Sequence, residues 1–413
     1  MQRSLRTVII MLAVFILVIS SGCTLPAKRN ESVLPKVAAE GTERITGNLK
    51  KEPLLKKRPN MSRPSIRTKT WPQAAPTIAR VANTQPVRGI YVSGWVAGDP
   101  GRMAKLIRLI EKTDLNAMVI DVKNDYGNLT YKSNVPEVKA IKADASPPIS
   151  NIRSLLKQLH AKQIYTIGRV VAFKDPYYAR MRPSQALQRK AGGVWRDAKG
   201  VAWLDPYQAR AREYNIAIAK EAANLGFDEV QFDYVRFPDN GVKVNQQVRF
   251  APTGGRSKAA IIGTFLREAR HGITPTGAKL SVDVFGLVTS STDDMGIGQT
   301  WREIAGTVDV ISPMTYPSHY SSGMYGIKSP DLHPSAVIKQ AMKDAKQQNE
   351  QIKQIGRKPA RIRPWLQSFT ATWVDPHQNY GVNQVRAQVL AARKQGIHEF
   401  LLWSSNCKYD YRS

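Results

Sequence analysis

The sequence predicts an α/β fold: a (β/α)8 TIM barrel that lacks its eighth helix and carries a disordered N-terminal tether. Three observations lead there. Eight apolar, β-branched runs follow one another between residues 88 and 403, and segments of helical period separate them. Near-continuous apolar strands alternating with helices make a parallel sheet covered by those helices, and eight such units close it into a barrel. The chain has 413 residues, ample for a barrel of roughly 250. Its 42% hydrophobic content supplies a sizeable core and excludes a wholly disordered or fibrous protein.

The first element in chain order is an export signal. Arg3 and Arg6 precede the apolar stretch Val8 to Ile19, and Ser20-Ser21-Gly22-Cys23 follows, the layout of a secretory signal peptide over residues 1–22. The apolar stretch is too short for a convincing membrane span. Cysteine after a small residue resembles the lipobox of bacterial lipoproteins, so Cys23 is the expected lipidation site. That predicts an exported protein held at the cell envelope by an N-terminal membrane anchor. Ser20 stands where a lipobox usually has Leu, which leaves cleavage with secretion, or an uncleaved anchor, as alternatives. With Cys23 acylated only Cys407 remains, so no internal disulfide is expected.

Residues 23–86 read as a basic linker. Pro, Lys, Arg, Ser and Thr dominate without a sustained period, and Thr24 to Pro86 hold 13 basic against 4 acidic residues. Lys50-Lys51 and Lys56-Lys57-Arg58 suit an anionic lipid or wall-polymer surface, or simply a charged spacer.

The barrel is expected over residues 87–413. Its strand runs are Arg88 to Val96, Asn116 to Val122, Ile164 to Phe173, Glu229 to Phe237, Lys279 to Val288, Val308 to Tyr316, Ile362 to Phe369 and Ile397 to Trp403. Helical segments are expected at Arg102 to Lys112, Ile152 to Ala161, Ala209 to Leu225, Ala259 to His271, Pro334 to Gln348 and Asn383 to Lys394. The chain stops ten residues after Trp403, too soon for an eighth helix, and Trp71 to Ala82 is a candidate to cover the gap. No glycine-rich phosphate loop follows the first run, which argues against an open dinucleotide-binding sheet and against a nucleotide cofactor.

In such a barrel the C-terminal strand ends form the active face. Polar residues crowd those ends here: Asp121, Lys123 and Asp125 on the second run, Arg169 on the third, Asp233, Tyr234 and Arg236 on the fourth, Asp283 on the fifth, Tyr316 and His319 on the sixth, Trp365 and Gln367 on the seventh, and Trp403 on the eighth. Side chains alternate along a strand, so Gln231, Asp233 and Val235 share one face. An outward Asp233 would put a carboxylate beneath an apolar helix, so the inward reading is preferred. The same argument turns Asp121, Lys123 and Asp283 inward. Asp233 and Asp283 on neighbouring strands about 4.8 Å apart would then form the carboxylate pair that glycoside hydrolysis needs. All of these acids, Asp233 included, have a structural alternative, ion pairs with Arg169, Lys123 or Arg236 that close a network in the barrel mouth. Tyr316, Trp365 and Trp403 could stack on sugar rings or belong to the core, and His319 could shuttle a proton or merely hydrogen-bond. No zinc spacing and no GxSxG elbow is present, so metal and serine chemistry are not expected.

Several segments, Gly89-Ile90-Tyr91-Val92-Ser93-Gly94-Trp95, Val119 to Lys123, Gly226 to Pro238 with its FDYVRFP string, Ser312 to Tyr320 and Arg363-Pro364-Trp365-Leu366-Gln367, resemble the bacterial family called Putative glycosyl hydrolase domain. The resemblance runs from about Val87 to Tyr409. It implies a TIM barrel distantly related to the α-amylase-like hydrolases. In that wider clan the nucleophilic Asp ends strand four and the general acid ends strand five, which by strand order implies Asp233 and Asp283. Two departures stand out: Gln231 replaces an Arg two residues before the nucleophile, and Asp283 is shorter than the usual Glu.

Lys+Arg number 61 against 32 Asp+Glu, a net charge of +29, which raises nucleic acid as a partner. Part of the surplus sits in the linker, and no basic recognition helix or aromatic-rich basic patch follows, so nucleic acid is set aside. The expected partner is a polysaccharide of the cell envelope or extracellular space, with the basic charge favouring an anionic glycan. The leading expectation is a glycoside hydrolase. A barrel that binds glycan without cleaving it is the alternative, and it gains nothing from two acids facing one cavity.

Overall fold

In this computed structural model residues 79–81 and 85–413 are described. The signal peptide, Cys23 and nearly all of the linker lie outside the described residues.

Eight parallel strands close into a barrel: β1 Arg88–Val92, β2 Ala117–Lys123, β3 Tyr165–Val171, β4 Glu229–Asp233, β5 Lys279–Phe285, β6 Val310–Met314, β7 in two pieces, Arg361–Ile362 and Trp365–Gln367, and β8 Phe400–Trp403. The strands neighbour one another in chain order. β8 pairs with β1 through Arg88 and Phe400, and the second piece of β7 bridges β6 and β8 through Trp365. The break in β7 falls at Arg363-Pro364, where proline has no N–H to give the ladder.

Among the described residues, besides short helices in the loops, the barrel is covered by α1 Pro100–Glu111, α2 Ile152–Ala161, α3 Ala209–Leu225, α4 Lys258–Ile273, α5 Trp301–Ala305, α6 Pro334–Gln354 and α7 Val382–Lys394. Their ends follow local chemistry. Asp99 accepts from the Gly101 and Arg102 N–H groups at the start of α1, Asn151 from Ser154 in α2 and Ser257 from Ala260 in α4. α3 stops at Gly226, whose φ of 116° costs a glycine little. The five-residue α5 is too short to show a period, which is why the sequence did not announce it.

Six of the strand runs end earlier than expected, two of them by four residues. β1 stops at Val92 because Ser93 accepts from the Val96 N–H and starts the short helix Gly94–Ala97. β4 stops at Asp233 because Tyr234 enters the left-handed region, at φ 51°.

No helix follows β8 among the described residues. The C-terminal segment packs beside β1 and α1 instead: the Ser93 N–H meets the buried Cys407 Sγ at 3.3 Å, the Tyr409 hydroxyl donates to the Tyr91 carbonyl and the Tyr411 hydroxyl to Asp114. The segment Trp71 to Ala82 was the candidate for that place. Its described residues, Ala79 to Val81, lie instead at the N-terminal ends of β3, β4 and β5, where Arg80 donates to the carbonyls of Ala223, Phe227 and Thr276.

The interior is layered by polarity. At the base the Glu229 carboxylate accepts from Arg363 at 2.8 Å and from the Tyr165 hydroxyl at 3.2 Å. Above it Gln231 donates to Ser312. The acids of the mouth come next.

Candidate active site

Arg169 organises the mouth. Its strand position is level with Asp121 on β2 and Gln231 on β4, so its guanidinium enters the barrel between the acids of both neighbours. Nη1 donates to Asp121 Oδ1 at 2.7 Å, Nε and Nη2 both reach Asp233 Oδ2, at 3.1 and 2.7 Å, and Asp125 Oδ2 lies 3.2 to 3.3 Å away. Burial would disfavour the charge, but three carboxylates raise the Arg169 pKa well above its ordinary value. Against burial, Arg169 and Lys174 hold Asp125 below the usual carboxylate range. The Tyr91 hydroxyl donates to Asp121 at 2.6 Å, and the Tyr91 and Trp403 rings stack 4.2 Å apart beneath the guanidinium.

Asp233 and Asp283 hang from neighbouring strands and sit deep, 5% and 1% exposed. Their environments differ. Asp233 is ion-paired with Arg169, and its Oδ1 accepts from the Tyr234 N–H at 2.6 Å, a bond made by the left-handed turn of Tyr234. Among the described residues no cation contacts Asp283; its Oδ1 accepts from Trp365 Nε1 at 2.8 Å. Burial, and then the nearby Asp233 charge, push the Asp283 carboxyl well above the usual carboxylate range, against the opposing pull of the Trp365 bond and Arg169. One acid is thus ion-paired and the other has its carboxyl pushed toward the protonated form, the asymmetry that general acid catalysis requires. Arg169 also supplies, from β3, a guanidinium on Asp233 where Gln231 has none.

Other expected site residues fall out as follows. Tyr316 is buried near Asp283 and Asp233, its ring edge-to-face with His319 at 5.2 Å and Phe369 at 5.6 Å. His319 stays exposed, its Nδ1 3.0 Å from Ser318 Oγ. Tyr234 takes a hydrogen bond from Lys174 at 3.2 Å, and Arg236 lies over the Trp203, Tyr234 and Phe285 rings while pairing with Asp239.

Three placements need correction. Lys123 does not share the face of Asp121. An irregularity between Asp121 and Lys123 shifts the register, setting Lys123 opposite Val170, and its ammonium turns to Asp175 at 2.6 Å and to Asn215 of α3 at 2.7 Å. Trp365 is fully buried, so it offers no ring face to a sugar and instead holds Asp283. Gln367 is also buried: its Oε1 accepts from the Ser318 N–H and its Nε2 donates to Asp331 and to the Phe369 carbonyl, so it ties loops together. Conversely, Tyr91 and Lys174 join the cluster without having been singled out, while Asp125, named among the polar strand ends, joins it as an ion-pair partner of Arg169. Alternation along β1 was the signal available for Tyr91.

A large cleft, about 950 Å³, lies at the opposite end of the barrel around Arg80, Asp228 and Arg361, away from these acids. In the barrel fold the chemistry belongs to the carboxyl ends of the strands, and the clustered acids are there.

Several solved structures resemble this one. A hypothetical protein from Ruminiclostridium thermocellum ATCC 27405 is 39% identical over 50% of this chain and 98% of its own, with a TM-score of 0.44. The PgaB (BpsB) glycoside hydrolase domain from Bordetella bronchiseptica is 14% identical over 78% of this chain and 95% of its own, with a TM-score of 0.55. A β-galactosidase from the psychrophilic Marinomonas ef1 is 10% identical over 79% of this chain and 56% of its own, at 0.52. The last two share the fold. No curated protein matches the chain. Residues 89–409 match the family described as Putative glycosyl hydrolase domain, and the chain belongs to that family, whose class of reaction is the hydrolysis of glycosidic bonds.

Proposed function

We propose that the protein is an exported glycoside hydrolase that cleaves a cell-envelope or extracellular polysaccharide, with Asp283 as general acid/base and Asp233 as nucleophile or charge stabiliser. The observation that carries this is the contrast between the two carboxyls, one paired with Arg169 and one buried against Trp365 without a cation. Protonated Asp283 delivers its proton to the leaving glycosidic oxygen. The Asp233 carboxylate faces the positive charge that develops at the anomeric carbon, and water completes the hydrolysis. Arg169 fixes Asp233 through two hydrogen bonds, and Trp365 fixes Asp283.

The net charge of +29 favours an anionic glycan. Screening the full-length chain against cell-wall and capsular glycans identifies the substrate, after which Asp233→Asn and Asp283→Asn should each lower turnover by orders of magnitude. Near-normal turnover in either variant removes that carboxylate from the mechanism. Glycan binding with no turnover would leave a non-catalytic envelope protein.

The same reading holds the protein at the bacterial envelope through acylated Cys23, as the sequence Ser20-Ser21-Gly22-Cys23 suggests. Metabolic lipid labelling should be lost in Cys23→Ala; retention of the label would exclude acylation at that thiol.

A further inference from the structure

Among the described residues, the large aromatic side chains left exposed are Trp95, Tyr126 and Trp373, at 66%, 72% and 68%. All three follow the C-terminal ends of strands, β1, β2 and β7, on the face that holds the acids. Two of them connect to the carboxylate pair by separate routes. Trp373 stacks on Phe369 at 6.0 Å with 16° between the planes, Phe369 meets Tyr316 edge-to-face at 5.6 Å, and Tyr316 lies beside Asp283. This route runs from β7 through β6 to β5. On the other side, Tyr126 is presented by a turn in which Asn124 Oδ1 accepts the Tyr126 N–H at 3.0 Å and the Asn124 carbonyl accepts the Gly127 N–H. The residue before it, Asp125, is bound by Arg169, which grips Asp233. That route runs from β2 through β3 to β4, and Trp95 stands in the short helix that follows the neighbouring strand β1.

Exposed indole and phenol faces suit the apolar C–H face of a pyranose ring, and they bury it without a fixed hydrogen-bond geometry. A single-sugar pocket has no use for such rings on two sides of the acids. We propose that Trp373 on one side, and Tyr126 with Trp95 on the other, form two arms of sugar subsites, so that the protein binds an extended glycan across its mouth and cuts within the chain. Each cut consumes one water and leaves two shorter chains, one with a new reducing end. The inference rests on the glycan-hydrolysing reading above.

The test uses the full-length chain carrying Asp283→Asn, so that binding is measured without turnover, and co-sedimentation with peptidoglycan sacculi, chitin and an insoluble anionic capsular polysaccharide. For whichever glycan is bound, Trp373→Ala and Tyr126→Ala should each weaken binding by roughly three- to tenfold, the range expected for lost ring stacking. Trp373→Phe should recover most of the loss, which distinguishes a ring platform from a disturbed loop. A Trp95→Ala/Tyr126→Ala/Trp373→Ala chain that sediments like its parent would overturn the two-arm inference while leaving the hydrolase reading in place. Failure of the parent to bind any of the three polymers would overturn both.

Discussion

At the scale of single residues, the unusual group is Asp283, a carboxyl enclosed with an indole N–H on one oxygen and no cation in contact. Its folded-state pKa is raised above the value near 4 that an unfolded Asp has. The native state therefore keeps a proton that the unfolded state releases, and stability falls as pH rises from about 4 through the folded pKa. Asparagine removes this dependence and preserves an oxygen for Trp365 to bond. Asp283→Asn should therefore match the parent at acid pH and become progressively more stable than it toward pH 8, by more than about 1 kcal/mol for each unit of pKa elevation crossed. Thermal melts of both chains from pH 4 to 8 check it. A variant less stable than the parent throughout would mean that Asp283 is not held protonated. The same titration bears on catalysis, since turnover should fall as pH rises and the acid loses its proton.

At the scale of elements, alternation along a strand was enough to bring Asp121, Arg169, Asp233 and Asp283 to one place, because in a closed barrel an inward residue at a strand's carboxyl end has nowhere else to go. The rule fails where the strand ceases to be regular. A register shift in β2 separates Lys123 from Asp121, and nothing in Asp121-Val122-Lys123 signals it. Alternation also gives direction without depth. Trp365 and Gln367 do stand at the mouth end of β7, but the loops after β6 and β7 close over Gln367, and the Trp365 ring reaches across to Asp283. The fourth run overshoots because Tyr234 adopts a left-handed conformation that a β-rich sequence does not reveal, and that same conformation aims its N–H at Asp233. A strained backbone beside a reactive group is where local propensity and function part company.

At the scale of the whole molecule, the boundary between linker and barrel carries a bond network that composition could not disclose, since the partners are backbone carbonyls far along the chain. Arg80 donates to Ala223 at the end of α3, to Phe227 and to Thr276, while the Val81 N–H donates to Asp228, whose other oxygen accepts from the Thr166 N–H and hydroxyl. The Ala79 carbonyl completes the contact with His160. These bonds fasten α3, β3, β4 and the turn before β5 at the base of the barrel. At a net 0.5 to 1.5 kcal/mol each, reduced for partial exposure and for the entropy of ordering the segment, they are together worth roughly 2 to 4 kcal/mol. The acids at the mouth should not feel their loss directly, because Asp233 lies five residues beyond Asp228, about 17 Å along β4. A fragment beginning at residue 79 should therefore melt several degrees above one beginning at residue 87, and Arg80→Ala in the longer fragment should abolish much of that advantage. Turnover per folded molecule, once a substrate is in hand, should be the same in all three. Equal melting temperatures would show that the bonds at the base merely replace bonds to water. A lower turnover in the shorter fragment, with its fold intact, would show that the base and the mouth are coupled through the strands.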